Sequence, residues 1–298
     1  MSASFSIRRL RGLTFAAMGM LATLLPAAAD ETSVLPDTSR VVSIGGAITE
    51  IVYALGEEKI LVGRDSTSVY PEAAFALPDV GYMRQLSPEG VLSVNPSGIL
   101  ALQGSGPKEA VDVLKKASVP YVEIRESYDH AGIVERIRAV GKAIGADDKA
   151  ETLAAQVDGK LKEAEELTAG VKERKRVLFI LSMQGGKIQA AGAGTAADGI
   201  IELAGGVNAV QGYHGYKQLT DEAAIEAKPD VILMMTRGGQ HDAGEAELFA
   251  HPAIAATPAG QAKRLIKMDG AYLLGFGPRT ADAVKEVAAA LYGDQVGN

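Results

Sequence analysis

The sequence predicts an α/β protein of two similar lobes that are joined by a single long helix, with a ligand cleft between the lobes. Short apolar strands alternate with helical segments, one segment is repeated in each half, and a long charged helical stretch separates the halves. The expected boundaries are 30–145 for the N-terminal α/β lobe, 146–174 for the bridging helix and 175–298 for the C-terminal α/β lobe. Lobes of about 120 residues are large enough to bury a core of their own.

The first 29 residues have the features of a secretory signal peptide. Arg8, Arg9 and Arg11 form a positive start. An apolar stretch over 13–25 then leads to a run of alanines before Asp30. We therefore expect export to the periplasm by an N-terminal signal peptide (1–29). We expect no membrane insertion of the mature chain, because no later apolar run reaches the about 18 residues that span a bilayer.

The composition limits the partners and the chemistry. Because the predicted signal carries three arginines and no acid, its removal changes the net charge from −7 to −10. This acidic balance disfavours nucleic acid and anionic lipid as partners. The chain contains no cysteine, so its stability has to come from hydrophobic cores rather than from disulfides.

In the N-terminal half, apolar runs alternate with helical segments, which is typical of a parallel sheet covered by helices. The predicted strands are 40–44, 60–63, 98–102 and 121–124, and the predicted helices are 49–55 and 128–144. Residues 147–173 lack proline and carry apolar residues at helical spacing, which predicts a helix of about 20 residues, roughly 30 Å long. A spacer between two lobes is the preferred interpretation, and a core-facing helix of a single domain is the alternative. The second half is predicted to contain strands 176–181 and 231–235 and helices 195–203 and 281–291.

An internal repeat indicates that the two lobes are related. Residues 85–102, QLSPEGVLSVNPSGILAL, match residues 218–235, QLTDEAAIEAKPDVILMM, without a gap. Each copy predicts an N-capping hydroxyl, an acid in the first helical turn, a short helix, a turn with proline and a buried strand. A cleft between two such lobes is the expected place for a small ligand.

The sequence contains none of the motifs that would indicate an enzyme. A Walker A loop, H-E-x-x-H, G-x-S-x-G and a cysteine nucleophile are all absent. The run 192–197 fits G-x-G-x-x-A, which leaves a nucleotide-using enzyme as one alternative. A glycine-rich turn capped by Thr195 explains the run better, because no acid closes a following strand about 20 residues on. We predict that the protein is not an enzyme; an adhesion or scaffold module is a third hypothesis.

Four segments resemble the periplasmic haem-binding proteins of bacterial ABC haem importers, which belong to the helical-backbone class of substrate-binding proteins with the cobalamin and siderophore carriers. The segments are RVVSIGGAITEIVYALG (40–56), GRDSTSVYPEAA (63–74), LPDVGYMRQLSPEGVLSVNP (77–96) and TAADGIIELAGGVNA (195–209). The first and last mark the wider class, and the middle two mark the haem branch. The resemblance implies a monomeric carrier for iron acquisition that captures haem of the b type and delivers it to an inner-membrane ABC permease with its ATPase. A ferric siderophore or a corrinoid is the alternative cargo.

The resemblance places the haem iron ligand on Tyr70. A phenolate oxygen is a hard anionic ligand for ferric iron, and tyrosine is one of the axial ligands that haem proteins use. Arg237 and Arg84 are the expected partners of the haem propionates, since arginine pairs well with carboxylates. Glu72 departs from the family pattern, because many members carry a basic residue at that place and an acid would repel a propionate.

The remaining predicted site residues are aromatic rings, a possible second ligand and two surface acids. Aromatic side chains expected to face the ligand are Tyr82, Tyr213, Tyr216 and Phe276. His214 and Met183 are weak candidates for a second axial ligand. The resemblance assigns permease docking to Glu89 and Glu222, the acids of the two repeat copies; stabilisation of a helix start is the other role open to them.

Overall fold

A computed structural model describes Met1 and residues 34–236 and 244–293. The predicted signal peptide (1–29) and Arg237 lie outside the described residues. The described chain confirms the predicted fold class, two α/β lobes linked by one long helix. Within the described ranges, no helix is long and apolar enough to cross a membrane.

The first lobe is a four-stranded parallel sheet in the order β2-β1-β3-β4. Its elements are β1 (Val41–Ile44), α1 (Gly46–Ala54), β2 (Leu61–Arg64), α2 (Pro88–Leu92), β3 (Gly98–Leu102), α3 (Lys108–Lys116), β4 (Tyr121–Ile124) and α4 (His130–Ile144). The central strands β1 and β3 are buried along their whole length. Burial on both faces explains why their sequences are almost continuously apolar rather than alternating.

The bridging helix is α5 (Asp147–Glu166), whose 20 residues correspond to about 30 Å. It begins with two acids, which suit the positive end of the helix dipole. One stripe of small and apolar residues is buried, and the helix packs against α4 of the first lobe and a C-terminal helix of the second. His130 fixes the far end, since its Nε2 lies 2.8 Å from Asp158 Oδ1 and its Nδ1 3.0 Å from Glu165 Oε2.

The second lobe has a mixed sheet in the order β10-β9-β5-β6-β8, and β7 also pairs with β5. Its elements are β5 (Arg176–Gln184), β6 (Lys187–Ala191), α6 (Ala196–Leu203), β7 (Val207–Asn208), β8 (Tyr216–Leu219), α7 (Asp221–Glu226), β9 (Val231–Thr236), α8 (Glu245–Ala250), α9 (Pro252–Ala255), α10 (Pro258–Gln261), β10 (Leu265–Asp269), α11 (Gly270–Leu274) and α12 (Thr280–Tyr292). The strands β5, β9 and β10 are parallel, whereas β5, β6 and β8 are antiparallel neighbours. A two-residue turn joins β5 to β6, with Gly185 and Gly186 at φ 55° and 73°, a conformation that favours glycine at both places.

The internal repeat is confirmed in three dimensions. Ser87 and Thr220 cap α2 and α7 by accepting a backbone N–H with the side-chain oxygen. Asn95 and Lys228, which occupy matching places before the repeated proline, both have a positive φ, at 49° and 43°. The strands that follow, β3 and β9, pair with β1 and β5 in parallel. The two halves are therefore versions of one α/β unit.

The hydrophobic core is continuous from the first lobe through the helices between the sheets to one face of the second sheet. Along β5, Val177 and Phe179 belong to this core, whereas Leu178 and Ile180 belong to a separate core on the far face of the sheet. The alternation follows from the two-residue period of a strand. The helices α4, α5, α6 and α12 thus bury one shared apolar layer that holds the lobes together.

Candidate functional site

A cavity of about 630 Å³ lies between the lobes. Its walls are formed where the strands of both sheets end. In the first lobe they include Gly46 after β1, Thr67 and Tyr70 after β2, Leu102 at the end of β3, and Glu126 and Tyr128 after β4. In the second lobe they include Met235 and Thr236 at the end of β9 and Asp269 at the end of β10. Ligands of open α/β sheets bind at the carboxyl ends of the strands, and this cavity is such a site.

Asp65 anchors the loop that carries Tyr70. Its carboxylate is fully buried and accepts four hydrogen bonds. Oδ1 accepts from Gly45 N (3.0 Å) and Ser68 Oγ (2.8 Å), and Oδ2 accepts from Thr67 N (3.0 Å) and Thr67 Oγ1 (2.7 Å). Asp65 thus accepts hydrogen bonds both from Gly45, just before α1, and from Thr67 and Ser68 in the loop after β2. Its buried carboxylate therefore fixes this loop against the start of α1.

Hydroxyl groups extend this buried network. Ser43, Thr49 and Ser68 form a chain with oxygen–oxygen distances of 2.7 and 2.6 Å. Gly46 N donates to Thr67 Oγ1 at 3.0 Å, and a Cβ at Gly46 would lie only 2.7 Å from the Thr67 carbonyl oxygen. The glycine is thus required by the close approach of the loop to α1. The network holds the backbone up to Ser68, two residues before Tyr70.

The Tyr70 ring is 44% exposed and lies under an arginine from the second lobe. The Arg279 guanidinium carbon lies 3.5 Å from the centre of the Tyr70 ring. Glu50 of α1 holds this guanidinium, with Nε and Nη2 of Arg279 at 3.0 and 2.9 Å from Glu50 Oε2. Arg279 N donates to Glu50 Oε1 at 3.1 Å. Three hydrogen bonds therefore join the lobes directly beside Tyr70.

Two other tyrosines of the cavity, Tyr128 and Tyr216, are affected by burial. Burial raises the pKa of Tyr128, and a hydrogen bond with Glu126 raises it further. Burial also raises the pKa of Tyr216. Both side chains therefore stay protonated at neutral pH and can donate a hydrogen bond to a ligand, but they are poor sources of a phenolate.

The lobes touch directly behind the cavity. Tyr128 of the first lobe and Phe276 of the second contact each other edge to face, with ring centres 5.2 Å apart. Arg136 of α4 is buried, and its Nη1 donates to the Phe276 carbonyl at 2.6 Å. Gly199 of α6 lies against the Tyr128 backbone, where an added Cβ would be 2.1 Å from the carbonyl oxygen.

The structure places four of the predicted site residues, Tyr70, Arg84, Tyr82 and Tyr216, in the cavity wall. Among the described lining residues, Tyr213, His214, Met183 and Phe276 are missing. Tyr213 is half-buried and its hydroxyl donates to the Ala190 carbonyl. Met183 lies in the core on the far face of the second sheet, and Phe276 is buried against Tyr128. The expectation that Phe276 and Tyr213 line the cleft is therefore wrong, and the buried Met183 lacks access to a ligand in this cavity.

Four further residues named in the sequence analysis lie away from the cavity. His214 is exposed in the loop before β8. Glu89 and Glu222 are exposed in the first turns of α2 and α7. Glu72 is exposed at the start of a short 3₁₀ helix, Glu72–Ala76, that follows Tyr70-Pro71.

The glycine run after β6 is a packed turn rather than a nucleotide site. A Cβ at Gly192 would lie 2.2 Å from the Tyr213 carbonyl, so this backbone already faces protein. Gly194 N donates to Asp198 Oδ2 at 2.8 Å, and Thr195 caps α6 through Asp198 N at 3.1 Å. A phosphate needs such N–H groups free. The nucleotide alternative is therefore excluded here, as the preferred interpretation of the run expected.

Sequence reasoning missed Arg279, Glu50 and Glu126, which supply three of the charges in the cavity wall. A local signal existed for Arg279, since Gly275-Phe-Gly-Pro precedes it and such a run predicts a turn. Nothing local marked Glu50 in the apolar helix α1. Within the described ranges, no cluster of three or more His, Cys, Asp or Glu could hold a bare metal ion.

Two α/β lobes, one connecting helix and a cavity at the strand ends of both lobes define a substrate-binding protein of the bacterial periplasmic type. A family model described as "Periplasmic binding protein" matches residues 41–272, and the chain belongs to this family. The family binds substrates and is not enzymatic, which confirms the prediction that this chain is not an enzyme.

Comparison with a curated relative defines the transport system. The chain is 26% identical over 275 residues to an uncharacterized ABC transporter substrate-binding lipoprotein, YvrC, of Bacillus subtilis (strain 168). The match covers 91% of this chain and 86% of that protein. The chain is thus an ABC transporter substrate-binding protein, which implies an interaction with an ABC permease. A cobalamin-binding protein of Halobacterium salinarum is 25% identical over 230 residues, which cover 74% of this chain and 61% of that protein.

Solved structures with the same fold are described as haem-binding. The apo form of the periplasmic heme-binding protein RhuT from Roseiflexus sp. RS-1 is 37% identical, with a TM-score of 0.81 over 87% of this chain and 100% of that chain. The periplasmic heme-binding protein BhuT, solved in complex with two hemes, is 40% identical, with a TM-score of 0.80 over 85% of this chain and 97% of that chain. A periplasmic heme-binding protein from Pseudomonas aeruginosa is 31% identical, with a TM-score of 0.78 over 86% and 93%.

Proposed function

We propose that this protein captures ferric haem in the periplasm through Tyr70 and delivers it to an ABC permease. The observation that carries the proposal is the partly exposed Tyr70 phenol at a cavity lined by tyrosines, methionines and other apolar groups. A flat apolar macrocycle needs such walls, and its ferric iron needs a hard anionic ligand. The haem-binding relatives at up to 40% identity support the same cargo.

Haem titration of Tyr70 variants tests the proposal. We expect the purified protein to bind ferric haem saturably, with the Soret and charge-transfer bands of tyrosine-ligated iron. Tyr70→Phe removes only the hydroxyl, so it should abolish those charge-transfer bands and weaken binding at least about tenfold, or ~1.4 kcal/mol. Tyr82→Phe, a change of equal size at an equally exposed cavity tyrosine, should keep the bands. The end point of the titration also counts the haems bound per chain.

The outcomes of this titration separate the alternatives. Unchanged charge-transfer bands in Tyr70→Phe would show that a side chain other than Tyr70 ligates the iron. No saturable haem binding by the parent protein would refute the cargo but leave the substrate-binding protein.

A corrinoid is the second candidate cargo, and the charges of the cavity favour it. The described wall carries Glu50, Glu126 and Asp269 against Arg84 and Arg279. Because Arg279 is already paired with Glu50, the charges left for a ligand are Glu126 and Asp269 against Arg84. Two carboxylates oppose a ligand with two propionates, whereas the neutral amide groups of a corrinoid would accept hydrogen bonds from Arg84 and donate them to the carboxylates. The cobalamin-binding relative points the same way. Saturable cobalamin binding without haem binding would establish this candidate.

Glu89 and Glu222 are proposed as the contacts to the permease. Both are exposed, and they occupy matching first-turn positions of α2 and α7 in the two lobes. Two acids at repeat-related places suit a partner that presents a basic side chain to each lobe. The double change Glu89→Arg with Glu222→Arg should leave ligand binding intact and abolish uptake in cells that contain the permease. Matched changes at exposed Glu109 and Glu226 serve as the control, and full uptake by the Glu89/Glu222 variant would refute this role.

A further inference from the structure

We propose that Arg279 is a positioning residue for the iron ligand, because it reaches from the second lobe to hold the Tyr70 ring in the orientation that ligates iron. This inference rests on the proposed function and deepens it. A residue of the second lobe thus supports the bond to iron that Tyr70 of the first lobe makes.

The contacts of Arg279 leave one face of its guanidinium for Tyr70. Its edge is occupied, because Nε and Nη2 both donate to Glu50 Oε2. Its backbone N–H is bound to the same carboxylate. Glu50 is only 10% exposed and Arg279 27% exposed, so the pair is held within the protein rather than on a solvated surface. The flat face of the group then meets the Tyr70 ring at 3.5 Å.

A ring that is already held in one orientation loses less conformational entropy when it binds iron. Tyr70 is 44% exposed, and the buried network from Asp65 reaches only as far as Ser68. Without Arg279 the side chain would have to be ordered at the moment of binding, and the lost conformational freedom would weaken the bond to iron. The guanidinium is also attracted to the face of the ring, which keeps the Tyr70 side chain against it.

Among the described residues of the cavity wall, Arg84 is the other arginine, and it provides the comparison. The recorded cation contact of the Tyr70 ring is with Arg279, which also lies 5.3 Å from the centre of the Tyr272 ring. If arginines mattered only as positive charges for the ligand, changes at Arg84 and Arg279 would have the same kind of effect. A positioning role instead requires that Arg279 alone changes the bond between iron and Tyr70.

The contact between Arg279 and Tyr70 also makes the bond between Tyr70 and iron depend on the distance between the two lobes. Tyr70 and Glu50 belong to the first lobe and Arg279 to the second, at the start of α12. Any separation of the lobes withdraws the guanidinium from Tyr70. Separation of the lobes by the permease would therefore loosen the iron ligand at the same time as it opens the cavity.

The test uses the full exported protein with ferric haem as the probe. The variants are Arg279→Gln, Arg279→Lys, the double change Glu50→Gln with Arg279→Gln, and Arg84→Gln as the matched control. The measurements are the tyrosine-ligation bands and the rate of haem loss to an excess of a haem-scavenging apoprotein. The thermal midpoint of each variant shows whether it is folded.

We expect Arg279→Gln to bind haem with weakened charge-transfer bands and to lose it about tenfold faster. Arg279→Lys should restore part of both properties, since the charge returns without the planar fork. The double variant replaces the ion pair by two amides, so no buried charge is left without a partner. It should therefore stay folded even if Arg279→Gln alone unfolds the protein. Its charge-transfer bands should be weakened as well. Arg84→Gln should change the rate of haem loss without changing the bands.

Parental bands and a parental rate in Arg279→Gln or in the folded double variant would overturn the inference while the proposed function stands. Weakened bands in Arg84→Gln equal to those in Arg279→Gln would overturn it as well, because the effect would then be one of charge alone. A parent protein that does not bind haem would instead refute the proposed function, and the inference would fall with it.

Discussion

Replacement of Asp65 by alanine is expected to lower the stability of the first lobe and to abolish tight ligand binding. The change leaves the buried donors of Gly45 and Ser68 and the half-buried donors of Thr67 without the carboxylate that accepts from them. A buried donor without a partner costs about 1–3 kcal/mol, and bonds to a charged acceptor are at the upper end. We expect a loss of about 3 kcal/mol or more, which lowers the thermal midpoint by roughly 6–12 °C. The loop before Tyr70 would also lose its anchor.

Asp79 provides a matched control for this prediction. Its carboxylate accepts from Arg64, Ser66 and Gly81, but its side chain is 42% exposed. Water can replace Asp79 at Ser66 and Gly81, whereas the Arg64 side chain is only 9% exposed and keeps its bond to the Asp65 carbonyl. Asp79→Ala should therefore cost about 1–2 kcal/mol, clearly less than Asp65→Ala. The measurement is thermal unfolding followed by circular dichroism, together with the ligand titration. Equal midpoints for Asp65→Ala and the parent would show that the buried network does not hold the loop.

The strands of the repeat could be predicted closely from the sequence, and the second sheet could not. Predicted strands 98–102 and 231–235 agree with β3 and β9, because a buried strand between turn residues has a distinct pattern. In the second lobe the antiparallel β6 and β8 were not predicted. The pair Gly185-Gly186 was a usable hairpin signal that did not enter the prediction. Register and partner choice depend on contacts far apart in the chain, which local patterns do not contain.

The residues of the site also divide into those that could be predicted from the sequence and those that could not. Tyr70 was predicted from the resemblance of the segment that carries it, and the structure places Tyr70, Arg84, Tyr82 and Tyr216 in the cavity wall. Met183, a weak candidate for a second ligand, lies in the core for a physical reason. Simple alternation along β5 would put it on the same face as Phe179, but the pairing with β6 shifts register between Ile180 and Ser182, and the shift turns Met183 to the far core. Glu50 and Arg279, 229 residues apart, meet only through the docking of the two lobes.

Gly199→Ala is expected to disturb the contact between the lobes, although alanine is the better helix former. In α6 the substitution gains about 1 kcal/mol of helix propensity. An added Cβ would lie 2.1 Å from the Tyr128 carbonyl oxygen and 3.1 Å from Cζ of Phe276. The Tyr128 backbone and the buried Phe276 ring can make room only if one lobe moves against the other. A clash with backbone this close is at the upper end of the cost of overpacking, about 2–3 kcal/mol. The steric cost therefore prevails, and we expect a net loss of about 1–2 kcal/mol.

Gly159 is the control for this prediction, because a change to alanine there is expected to raise the stability rather than lower it. Gly159 lies inside the bridging helix α5, and no atom lies within 4 Å of an added Cβ. Only the propensity remains, so Gly159→Ala should raise the thermal midpoint by roughly 1–4 °C, whereas Gly199→Ala should lower it by roughly 2–8 °C. A wedge between the lobes also moves Arg279 relative to Tyr70, so Gly199→Ala should release ligand faster and Gly159→Ala should not. Equal release rates with a lowered midpoint for Gly199→Ala would mean that the lobes can shift at Tyr128 without any change at Tyr70.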